Sequence, residues 1–76
     1  MTVTIRPLGM LKSYIGGKSE TAVDAGGTVR KVLQDLGIPP EVVALVLVDD
    51  EQQSKEYVLR DGETVKLMAI IGGGTR

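Results

Sequence analysis

The segment that most limits the fold of this chain is TVRKVLQDLG at positions 28–37, held between Gly26-Gly27 and Pro39-Pro40. Val29, Val32, Leu33 and Leu36 fall at helical offsets and make a single apolar stripe, while Arg30, Lys31, Gln34 and Asp35 fill the opposite face. The Thr28 hydroxyl is placed to accept a bond from an early backbone N–H, Gly37 to end the helix in a left-handed conformation, and the two prolines to forbid continuation. A helix with one apolar stripe has to lay it on something, and the flanking segments read as strands. Thr2–Arg6 alternates polar and apolar β-branched residues, and Pro7 closes it. Leu8, Leu11 and Ile15 predict a short helical turn before Gly16-Gly17, and Glu20–Asp24 a second strand antiparallel to the first.

Beyond the helix, VVALVLV at Val42–Val48 is a continuous apolar run of strand length, suited to a strand covered on both faces or one with an end in the core. Glu51–Glu56 reads as irregular, Tyr57-Val58-Leu59 as a short strand, and Arg60-Asp61-Gly62-Glu63 as a turn. TVKLMAII forms the last strand, with Val65, Leu67, Ala69 and Ile71 facing one way and Lys66, Met68 and Ile70 the other. With 76 residues there is room for one core. The expectation is an α+β domain: a mixed four- to five-stranded sheet packed on one main helix, with the first and last strands near the sheet centre.

Composition narrows the function. His and Cys are both absent, which removes thiolate chemistry, disulfides and imidazole bases, and leaves only oxygen ligands for any metal. Nine basic against ten acidic residues, with no basic cluster, argue against nucleic acid or an anionic membrane surface as partner. Tyr14 and Tyr57 alone make no platform for base stacking. No targeting segment and no membrane-length apolar run are visible, so a cytoplasmic protein is expected. GGKS at Gly16–Ser19 resembles the end of a phosphate loop, but Lys12 stands where that loop needs its first Gly, and a strand follows. Asp49, Asp50 and Glu51 read as a solvated turn and not as a Ca²⁺ loop.

The chain closes with AIIGGGTR. A triple-glycine run normally joins packed elements, yet here only Thr75 and Arg76 follow it. Without a Cβ, such a segment extends fully and passes a channel too narrow for side chains. The tail is therefore the expected working part, slender enough to deliver a carboxylate to a partner's active site.

Four segments in order, GGTVRKVLQDLGIPPE, VALVLVDD, YVLRDGETVKLMAI and IGGG, resemble the MoaD/ThiS family of ubiquitin-like sulfur carriers, with a looser likeness in LKSYIGGKSETAV. The resemblance implies a β-grasp (ubiquitin-like) domain over residues 1–71 and a flexible tail over 72–76. It implies that Gly74, preceded by Gly73, is the group adenylated and converted to a thiocarboxylate, with Gly72 helping to thread the tail. It implies a carrier and not an enzyme, with no bound cofactor: an adenylating, ubiquitin-activating-type enzyme uses ATP and Mg, and a sulfur-accepting synthase of molybdopterin or thiamine type takes the sulfur. Met68, Ile70 and Ile71 are the expected partner-binding residues, unless Met68 and Ile70 pack under the Glu51–Glu56 loop. Two departures stand out. Thr75-Arg76 follow the glycine, so a tail-trimming peptidase is expected, and Asp49-Asp50 occupy a turn where many relatives have Asn-Gly. Alternatives are a protein modifier that forms isopeptide bonds through Gly74 and a plain β-grasp binding module.

Overall fold

Alternation at the amino terminus produces β1 (Thr2–Pro7), whose Val3, Ile5 and Pro7 are buried while Thr2 and Arg6 are exposed. The computed structural model describes residues 1–69 and continues with β2 (Thr21–Asp24), α1 (Val29–Leu36), β3 (Val43–Val48), β4 (Glu51–Gln52) and β5 (Thr64–Ala69). Short 3-10 segments occupy Gly9–Ile15 and Pro40–Val42. The sheet order is β2-β1-β5-β3-β4. β1 runs antiparallel to β2 and parallel to β5, and β3 runs antiparallel to both β5 and β4. This is the mixed five-stranded sheet and single main helix of a β-grasp domain, with the last strand at the centre.

The helix forms as its sequence predicts. Thr28 Oγ1 accepts from the Lys31 N–H at 3.1 Å, and Gly37 closes the last turn at φ 78°. Val29, Val32 and Leu33 enter one core with Val3, Ile5, Val43, Val46, Val48, Val65 and Leu67, each burial contributing about 1.5–3 kcal/mol before chain entropy opposes it. Leu11, from the Gly9–Ile15 segment, and Leu59, from the loop before β5, plug the same core.

Three details correct the sequence expectations. β1 ends at Pro7 as expected but takes the proline in as its last residue, because its missing N–H would face β2, whose pairing already ends at Ile5↔Thr21. Tyr57–Leu59 is not a strand of the sheet. It pairs with the approach to the helix: the Val29 N–H donates to the Tyr57 carbonyl, the Leu59 N–H to Gly27, and Thr28↔Val58 is an isolated bridge. The fifth strand is instead Glu51–Gln52, inside the stretch expected to be irregular, where a tight reversal at Asp49-Asp50 folds it back on β3.

That reversal is strained. Asp49 and Asp50 have φ of 50° and 71°, the left-handed region that favours Gly or Asn in two-residue hairpins. Asp49 is anchored to the head of β5: its Oδ1 accepts from the Thr64 N–H at 3.0 Å and its own N–H donates to the Thr64 carbonyl. Asp50 makes only an exposed ion pair with Lys66. Asp50→Gly should therefore stabilise the domain by about 0.5–1 kcal/mol, the relieved strain exceeding the lost surface pair. Thermal melting should register a rise of a few degrees, about 4–8 °C per kcal/mol in a domain of this size.

A second clamp holds the turn entering β5. Glu63 Oε2 accepts from the Tyr57 hydroxyl and Oε1 from the Arg60 N–H, both at 2.6 Å. The Tyr57 bond first, then the Arg60 N–H, hold the Glu63 carboxyl below its ordinary range, while the bond to Glu63 and then burial raise the Tyr57 hydroxyl. A depressed carboxyl contributes stability above its unfolded pKa and loses it as pH falls through the folded one. A raised phenol contributes below about pH 10 and loses it as pH rises beyond. Melting temperature should therefore fall on acidification below about pH 4, and Glu63→Gln should flatten that slope.

Candidate functional site

β5 is positioned by neighbours on both sides. In register, Thr64, Val65, Lys66 and Leu67 stand beside Thr4, Ile5, Arg6 and Pro7, and Lys66, Leu67 and Met68 beside Leu47, Val46 and Leu45. Its end is held at Leu67, whose carbonyl accepts from the Leu8 N–H at 2.9 Å, and at Ala69, the partner of Val43. Ala44 is the extra residue of a bulge there, and the chain before Val43 is a 3-10 turn containing Pro40, which has no N–H to offer. On the β3 side the last pair among the described residues is Val43↔Ala69. The expected tail residues Gly72, Gly73 and Gly74, and the expected docking residues Ile70 and Ile71, lie outside the described residues.

Alternation gives β5 two faces of different chemistry. Val65 and Leu67 are fully buried under α1, and Ala69 packs against that core. Lys66 and Met68 point to the opposite face, over which no helix lies among the described residues. Met68 is half-buried, with Leu45 as its cross-strand partner. The loop after β4 does not run across it. That loop turns to the helix side, where the Lys55 carbonyl accepts from the Arg30 N–H at 2.8 Å and Glu56 pairs with Arg30 Nε at 2.7 Å.

The open face holds residues that the sequence reading did not single out. Leu45 and Leu47, half-buried, adjoin Met68 and Lys66, and Arg6 stands beside Lys66 on β1. The run VVALVLV obscured the two leucines because apolar residues fill both of its faces. The signal lay in the period of two: Val46 and Val48 inward, Leu45 and Leu47 outward.

The remaining motifs are structural. Gly16 and Gly17, at φ 74° and 81°, close the 3-10 segment by donating to the Ser13 and Lys12 carbonyls, and β2 follows. Asp49 and Asp50 are engaged by Thr64 and Lys66 as above. Among the described residues no cluster of metal-ligating side chains occurs, and no helix is long and apolar enough to cross a membrane.

No curated protein matches the chain by sequence. Solved structures share its fold. Urm1 from Trypanosoma brucei superposes with a TM-score of 0.72 at 20% identity, covering 96% of this chain and 95% of that one. The complex of subunits 1 and 2 of molybdopterin-converting factor from Helicobacter pylori includes a chain similar at TM-score 0.65 and 22% identity, covering 97% of this chain and 100% of that one. The BexX/CysO complex from Amycolatopsis orientalis includes another, at TM-score 0.66 and 24% identity, covering 95% and 99%. The sequence itself matches the ThiS family over residues 8–74, the whole span from the end of β1 through the last glycine, and the chain belongs to that family of ubiquitin-like sulfur carriers.

Proposed function

We propose that the chain carries sulfur on the carboxyl carbon of Gly74. The observation that carries this reading is the extent of the family match, which stops at Gly74 and leaves Thr75-Arg76 outside it. In the sequence Gly74 is followed by Thr75, so its carboxyl is tied up in a peptide bond until a peptidase cleaves there. The freed carboxylate then attacks the α-phosphorus of Mg·ATP in the active site of an adenylating enzyme, releasing pyrophosphate and leaving an acyl adenylate. A persulfide sulfur of a donor protein attacks the acyl carbon and AMP departs. Cleavage of the resulting acyl disulfide by a thiol leaves the thiocarboxylate, which a sulfur-accepting synthase of molybdopterin or thiamine type consumes.

The division of labour suits the chain. It has no His or Cys of its own, so acid–base and phosphate chemistry fall to the partner, and the domain supplies shape and a handle. Among the described residues the central strand pairs with β1 as far as Leu67 and with β3 as far as Ala69, and the open face with Met68, Leu45 and Leu47 lies toward the end of that strand from which the sequence continues to the glycines. Apolar groups on such a face suit contact with the activating enzyme. The two structural relatives solved as complexes are compatible with a synthase partner as well.

The test is ATP–pyrophosphate exchange by the host's adenylating enzyme with two forms of the chain, one ending at Gly74 and one at Arg76. Exchange with the first and none with the second is expected. Equal exchange with both contradicts the requirement for a free glycyl carboxylate.

A further inference from the structure

Arg6 and Lys66 are direct neighbours in the parallel β1–β5 pair and both project from the open face. Like charges in that relation destabilise a sheet, and contacts within the chain offset this only partly. Lys66 Nζ reaches Asp50 at 3.1 Å. Arg6 Nε stands 3.8 Å from Glu20, beyond hydrogen-bond distance, with both side chains about half exposed. Among the described residues its guanidinium makes no hydrogen bond, so a planar fork of donors is left facing outward. Arg6 and Lys66, with Thr64, Asp49 and Asp50, line an open depression of about 290 Å³. Next to Lys66 on the same face come Leu47, Leu45 and Met68.

We propose that Arg6 is a specificity-determining residue of the docking face, its guanidinium taking a side-chain carboxylate of the activating enzyme that seats between Arg6 and Lys66. The partner's apolar surface then covers Met68, Leu45 and Leu47. The proposal rests on the reading of this chain as a substrate of such an enzyme. Charge complementarity favours a single carboxylate over a polyanion, because Asp49 and Asp50 border the depression and repel extended negative charge. Guanidinium and carboxylate match as a bidentate pair, which fixes orientation as well as attraction. Glu20, the loosely placed acid of the chain itself, holds the position until the partner displaces it.

The experiment is steady-state adenylation of the chain ending at Gly74 by the host's adenylating enzyme, comparing wild type, Arg6→Glu and Glu20→Gln. Arg6→Glu should raise KM on the order of tenfold with kcat unchanged, and Glu20→Gln should lower KM, since the competing carboxylate is gone. Added salt should raise the wild-type KM and lower that of Arg6→Glu, because it screens an attraction in the first and a repulsion in the second. Reversing the charge of one interfacial acid on the enzyme should restore Arg6→Glu. Opposite effects from the two variants exclude a general loss of folding, which their melting curves check independently. If wild type is activated and Arg6→Glu keeps its KM, or if both variants raise KM alike, the assignment of Arg6 is overturned while the carrier reading stands. If wild type is not activated at all, the carrier reading fails and this inference falls with it.

Discussion

Replacing Gly73 by Val in the chain ending at Gly74 is expected to lower adenylation at least ~100-fold, with the melting temperature unchanged. A β-branched side chain one residue from the reacting carboxylate narrows the conformations open to the tail and widens it beyond what a glycine channel admits. The docking face is untouched, so affinity for the activating enzyme should fall far less than turnover. Pyrophosphate exchange with the host's enzyme, alongside a binding titration, separates the two. A Gly73→Val chain that turns over normally would mean that the glycines are not threaded through a close-fitting site.

The second large effect lies two strand positions before the described chain ends. Leu67→Ala should destabilise the domain by about 2–5 kcal/mol, because Leu67 is fully buried on the central strand and its loss leaves a cavity between sheet and helix. For a domain of this size that is much of the total stability. Urea unfolding should give a lower midpoint at unchanged slope. The adjacent residue should behave in the opposite way. Met68→Asp faces the open side, so it should alter stability little and impair activation instead. One strand thereby separates folding from recognition by alternation alone. Similar destabilisation from both substitutions would place Met68 in the core and contradict the open face.

Much of the fold is legible in the sequence because local and tertiary preferences agree. The Thr28–Gly37 helix carries its stripe, cap and stop together, and α1 follows them. The first and last strands show alternation, and they pair at the sheet centre. The failures have particular causes. Tyr57–Leu59 has strand-like residues but spends its hydrogen bonds on the approach to α1, a tertiary choice that no local pattern reveals. Glu51–Gln52 is polar, and it becomes a strand only because the left-handed Asp49-Asp50 reversal delivers it to the β3 edge. Pro7 reads as the residue after the strand, yet it is the strand's last member, since its missing donor faces a side where the β2 ladder has already ended.

The site divides in the same way. The glycine run is visible in the sequence itself, and the chemistry proposed for it rests on the family to which the chain belongs. The docking face is not legible from β5 alone. Met68 can be placed by alternation, but Leu45, Leu47 and Arg6 join it only through the register of three strands distant in sequence. The Arg6–Lys66 juxtaposition in particular depends on β1 and β5 running parallel, which a list of elements does not specify.

The central claim is that the carboxyl of Gly74 is freed and then loaded with sulfur. Intact-mass measurement of the protein isolated from its native host under conditions of active cofactor synthesis tests it most directly. The expected result is a species ending at Gly74, part of it heavier by the exchange of one oxygen for sulfur and returned to the carboxylate mass by alkaline hydrolysis. Finding only chains that retain Thr75-Arg76, with no sulfur-bearing form, would contradict it.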